Sequence, residues 1–154
     1  MLFKSITLLT AATAALAGDS YSLKASIGPG ATGLHALQIH GNTIVYGLTQ
    51  GYSYFKAEDA GDSNVHITAE GFPKLGLEVA KDGELTINAN PNPVGGWAFK
   101  GDDSVKDFEY KGSREFYSCT NPTDPLHPQL VYAKTGDDYG CSDPIKFTIA
   151  ASKD

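Results

Sequence analysis

Apolar and polar side chains alternate at a spacing of two along most of this chain, a periodicity that suits strands and leaves little room for helices. In residues 34–40, Leu37 and Ile39 alternate with Gln38 and His40, and Gly41-Asn42 turns the chain before Thr43-Ile44-Val45-Tyr46. That is the signature of a hairpin. The pattern returns at Leu77-Glu78-Val79-Ala80 and Glu84-Leu85-Thr86-Ile87, joined by Lys81-Asp82-Gly83, whose Asp-Gly pair permits the left-handed backbone of a tight reversal. Alternation predicts further strands over 21–27, 52–56, 65–69, 96–100, 107–110, 115–119, 130–134 and 145–149. The 17 glycines and 8 prolines are spread through the sequence and break up any helical window. Many short strands at this spacing predict an all-β fold: a compact antiparallel β-sandwich or β-barrel, with a β-trefoil as the alternative. The Asn-, Pro- and Gly-rich stretch 88–96 reads as a loop within one domain, because neither flank is long enough for a comfortable core of its own.

The first 17 residues do not follow this grammar. Lys4 supplies a positive start, Ile6 to Leu16 form a short apolar run, and Ala15-Leu16-Ala17 offers a small-residue cleavage site before Gly18. A spanning helix needs about 20 apolar residues, which this run does not reach. Residues 1–17 therefore read as a cleaved signal peptide and 18–154 as a single all-β domain, secreted and free of the membrane. Loss of Lys4 takes the net charge from -6 to -7. An acidic surface with no run of Lys or Arg argues against nucleic acid as a partner.

Two cysteines are present, Cys119 and Cys141. An even pair in an oxidising compartment is expected to form a disulfide, which closes a loop worth about 3 kcal/mol in the chain-entropy model.

Catalytic and metal-binding patterns are sparse. His35 and His40 fall on opposite parities of one expected strand, while His66 and His127 lie elsewhere, so no ligand spacing emerges and no metal or cofactor is expected. Acidic pairs at Glu58-Asp59, Asp102-Asp103 and Asp137-Asp138 lack any arrangement that marks an acid and a nucleophile. No nucleophile elbow or phosphate loop occurs, and no catalytic residue is assigned. Among the aromatics, Trp97, Phe99 and Phe116 are expected in the core. Tyr52 and Tyr54 share one parity and are the candidate contact for carbohydrate or a partner, since tyrosine offers an apolar face with a polar handle.

Gly83-Glu84-Leu85-Thr86-Ile87, Trp97, Phe108, Glu115-Phe116-Tyr117-Ser118-Cys119, Leu130-Val131-Tyr132-Ala133, Cys141 and the strand 145–149 resemble, in that order, the folded part of fungal secreted cell-wall proteins, namely the phiA-type wall proteins and the C-terminal domain of Pir mannoproteins. The resemblance spans roughly the second half of the chain, and Phe-Tyr-x-Cys is its most distinctive element. It implies a non-enzymatic structural or binding component of the extracellular cell wall, with wall polysaccharide (β-glucan or chitin) or other wall proteins as partners. The chain departs from that pattern in two ways: it has two cysteines where four are usual, and Asp82-Gly83-Glu84 stands in place of glutamine-bearing repeats. A secreted effector acting on a host or competitor, and a carbohydrate-active enzyme, are the alternatives.

Overall fold

The computed structural model describes residues 18–28, 33–91, 93, 95–134 and 141–154, so the leader read at 1–17 and the pair Asp137-Asp138 lie outside the described residues. Among these described residues thirteen strands run in the order β1 (Ser20–Ser26), β2 (Leu34–Ala36), β3 (Gln38–His40), β4 (Thr43–Tyr46), β5 (Lys56–Gly61), β6 (Asn64–Thr68), β7 (Leu75–Val79), β8 (Leu85–Asn88), β9 (Trp97–Lys100), β10 (Val105–Tyr110), β11 (Phe116–Thr120), β12 (Gln129–Ala133) and β13 (Ile145–Lys153). Among the described residues there is no α-helix.

All the strand pairings are antiparallel, and they close on themselves. Nine strands follow one another as β1, β5, β6, β7, β8, β4, β12, β11 and β13, and β13 returns to β1 over six register pairs from Tyr21↔Lys153 to Ser26↔Thr148. Of the arrangements compatible with the alternation, a closed barrel is the one that forms, and closure leaves the nine-strand ring itself without an edge. Pleat and register agree around the ring: Leu23 and Ala25 of β1 face inward opposite Ala151 and Ile149 of β13, and Phe116 of β11 lies opposite Phe147. β2 extends from β1, β3 from β4, and the β9–β10 hairpin from β13. That hairpin reaches across the ring, where the Trp97 indole Nε1 donates to the Leu77 carbonyl of β7 at 3.1 Å.

Trp97 and Phe116 are buried and Phe99 packs against the same core. Cys119 and Cys141 form the expected disulfide, with Cα atoms 6.0 Å apart. Cys119 lies on the outer face of β11 beside Tyr132, Tyr117 and Leu130, so the staple covers the outside of the β11–β12 pair.

Three expected strands come out differently. Residues 34–40 split at Leu37, and Leu37, Gln38 and Ile39 are buried in succession because the chain leaves the edge of β1 and crosses to β4. The parity argument that separated His35 from His40 thus rested on a strand that is two strands. Residues 52–56 form only one bridge, at Ser53, and the strand proper starts at Lys56 and runs to Gly61. β5 hides in Lys-Ala-Glu-Asp-Ala-Gly, which has no β-branched or aromatic residue; its ladder with β6 and a two-residue turn at Asp62-Ser63, φ 52° and 62°, hold it in place. β13 continues to Lys153, its second half pairing with β1 and β10.

Candidate functional site

The connection from β4 to β5 turns back along β3 instead of leaving the barrel. Ile39 N donates to Ser53 O at 2.8 Å and Ser53 N donates to Ile39 O at 3.0 Å. Directly opposed residues share a face, so half-buried Ser53 lies on the face of Ile39 and Tyr52 and Tyr54 on the alternate one, that of Gln38 and His40. Gln38 fixes the connection there. Its buried amide donates through Nε2 to Leu48 O at 2.9 Å and accepts from Leu48 N at 3.0 Å.

Tyr52 and Tyr54 meet edge to face, with ring centroids 4.9 Å apart and planes at 70°. The Tyr52 hydroxyl donates to the Tyr54 oxygen at 3.3 Å, and this bond, with some loss of solvent, raises the Tyr52 phenol above its ordinary pKa. Beside the pair lies an open depression of about 430 Å³, lined by Ile39, Gly41, Gly51, Tyr52, Ser53 and Phe72. Phe72 comes from the turn between β6 and β7, where Phe72 N donates to Ala69 O at 3.1 Å, and the residue is 41% exposed. The lining contains no charged side chain.

Two glycines let the backbone form this surface. Gly41, at φ 65°, is the first central residue of the β3–β4 hairpin, the position at which a type II′ turn takes glycine. Gly51, at φ 72°, is packed so closely that a Cβ there would stand 3.0 Å from Leu126 Cδ1.

His40 stands behind this wall. Its Nδ1 lies 2.7 Å from Gly51 O and its Nε2 lies 2.7 Å from Asp124 Oδ2. The bond to the Gly51 carbonyl and then the one to Asp124 raise its pKa above the usual imidazole value. Asp124 is held below the usual carboxylate range, first by the Leu126 N–H that donates to Oδ1 and then by His40. The sequence signals Tyr52 and Tyr54 by parity. It does not signal Phe72, a lone aromatic in Gly71-Phe72-Pro73, or the His40–Asp124 pair, whose members are 84 residues apart.

Of the other chemistry-bearing residues, Glu58, His66 and Glu115 are engaged in ion pairs. Glu58 holds His66 at 3.2 Å and Lys74 at 3.3 Å, while Asp59 accepts from Gly61 N in its own turn. Glu115 holds Lys134 at 3.1 Å and Lys146 at 3.7 Å, and these cations, with the Tyr117 hydroxyl, lower its pKa. Among the described residues no three His, Cys, Asp or Glu side chains gather as a metal cage would require.

No family model, curated protein or solved structure matches the chain.

Proposed function

We propose that the domain acts outside the cell as a non-catalytic structural or binding component of a fungal cell wall, and that it contacts β-glucan or chitin through Tyr52 and Tyr54. The observation that carries the contact is an aromatic group, half-buried Tyr52 with exposed Tyr54 and Phe72, of which Tyr52 and Phe72 line an uncharged depression. Sugar rings present apolar C–H faces that stack on aromatic rings, and their hydroxyls pair with phenols. A lining without charge favours a neutral polymer over a phosphate or an acidic glycan. The leader and the Phe-Tyr-x-Cys pattern are the grounds for the wall itself.

Co-sedimentation of the purified protein with insoluble chitin and β-1,3-glucan tests the contact. Retention on at least one polymer is expected, with a Tyr52→Ala/Tyr54→Ala double variant losing at least about tenfold in affinity, as central contact residues do. A wild type that sediments with neither polymer, or a double variant that sediments equally well, would overturn the reading.

A further inference from the structure

His40 ties together three segments that are distant in sequence: β3, on which it sits, the Gly51 end of the β4–β5 connection, and Asp124 of the β11–β12 connection. Its two ring nitrogens face two acceptors. The Gly51 oxygen is a backbone carbonyl and accepts only; an ionised Asp124 carboxylate also accepts only. A neutral imidazole has one N–H and satisfies one of them, whereas the imidazolium donates to both. The loop geometry therefore fits the charged ring.

We infer that protonated His40 is a clip that holds the Gly51–Tyr52 wall of the depression against the β11–β12 connection, so that this wall tightens in acid and loosens when the ring loses a proton. Gly51 immediately precedes Tyr52, and Leu126, two residues after Asp124, packs on Gly51 beside the His40 ring. Release of either hydrogen bond frees the backbone that aims the tyrosine pair.

The charged groups around the ring agree with this direction. Asp124 faces it from the β11–β12 connection, and His127 of the same connection acts on Asp124. The β4–β5 connection contributes the Gly51 carbonyl and, next along, the Tyr52 phenol, which is neutral across the range in question. The ring's raised pKa makes the clip complete below the ordinary imidazole value and lost as pH rises through the folded one. The lowered Asp124 value carries the clip to a lower pH than an ordinary carboxylate would before it is lost there.

The consequence for ligands rests on the proposed polysaccharide contact: a pre-set wall binds more tightly than one that must be ordered on binding. The experiment therefore has two arms. In the first, nitrogen-detected NMR of His40 and amide exchange at Ser53, whose N–H donates to the Ile39 carbonyl just after the Gly51–Tyr52 wall, are followed from about pH 5 to about pH 8, the range in which histidine titrates. Both ring nitrogens are expected to be protonated at about pH 6, with intrinsic-rate-corrected amide exchange rising about three- to tenfold as the ring deprotonates, the scale of one lost hydrogen bond. Asp124→Asn should move the titration midpoint down toward free imidazole. In the second arm, chitin and β-1,3-glucan co-sedimentation over the same range should weaken by a similar factor in wild type and stay flat in His40→Gln. A single neutral tautomer at about pH 6, or an exchange rate indifferent to the ring's charge, overturns the clip. A wild-type pH dependence of binding that persists in His40→Gln overturns its link to the depression. Failure to bind either polymer at any pH, with the first arm as expected, overturns the polysaccharide reading and leaves the clip standing.

Discussion

Trp97, Phe108 and Phe116 stack inside the barrel with centroids 5.0 and 6.2 Å apart, whereas Tyr52 and Tyr54 meet outside it at 4.9 Å with Tyr54 59% exposed. Ring-to-ring distances are alike in the two regions, yet their surroundings are opposite. Phe108 is fully buried and also touches Phe99, so its removal leaves a void bounded by other rings. The tyrosine pair has solvent on its outer side, so its removal leaves no cavity. Burial, more than aromatic contact, separates a group that holds the fold from one free to bind something else.

The strongest way to break this contrast is Phe108→Ala. Truncating a phenylalanine at 0% exposure should cost about 3–5 kcal/mol, read as a lowered urea midpoint. A loss near zero would mean that the interior stack is not the part that holds the barrel together. Next comes the Cys119→Ser/Cys141→Ser pair, expected to cost about 3 kcal/mol through the loop it reopens. Because this staple lies on the outer face of β11–β12, its loss should leave the near-ultraviolet signal of the interior aromatics intact in whatever fraction remains folded. A collapse of that signal in the native baseline would show that the outer face and the interior are not separable.

These differences also explain what could be read in the sequence. Wherever one face of a strand packs on the core, alternation exposes it: Tyr21, Leu23 and Ala25 in β1, or Val65 and Ile67 in β6, announce themselves by parity. The closing register of β1 with β13 joins residues more than a hundred positions apart, so local pattern gives no access to it, and sandwich and barrel look alike. β5 was hidden because Ala57 is small and its neighbours are charged, and pairing on both sides of it makes the strand. At the candidate site the same rule applies. Tyr52 and Tyr54 are two positions apart and legible, while Phe72, Gly51 and the His40–Asp124 pair meet only after the connections fold over β3.

Gln38 links the two regions and should give an intermediate effect. It is 4% exposed, and both of its amide bonds go to the backbone of Leu48 at the start of the Tyr52-bearing connection. Gln38→Ala leaves a buried N–H and C=O unpaired and should cost about 1–3 kcal/mol. Unlike Phe108→Ala, it should also speed amide exchange selectively at residues 47–55. Equal exchange throughout the barrel would mean that the connection has no stability of its own to lose.

The smallest effect on stability, and the sharpest test of the contrast, belongs to Tyr54→Ala. The side chain is mostly in water, and its Tyr52 partner can keep its hydroxyl solvated, so the urea midpoint should match wild type within experimental error. Polysaccharide retention should nevertheless fall about tenfold, because the more exposed ring of the pair is gone. Tyr54→Phe separates the two properties of the residue: it keeps the edge-to-face ring and removes the oxygen that accepts from Tyr52, so binding that depends on ring stacking should survive it. Tyr54→Ala lowering the midpoint as Phe108→Ala does would place the outer pair with the interior stack, as structure and not as surface.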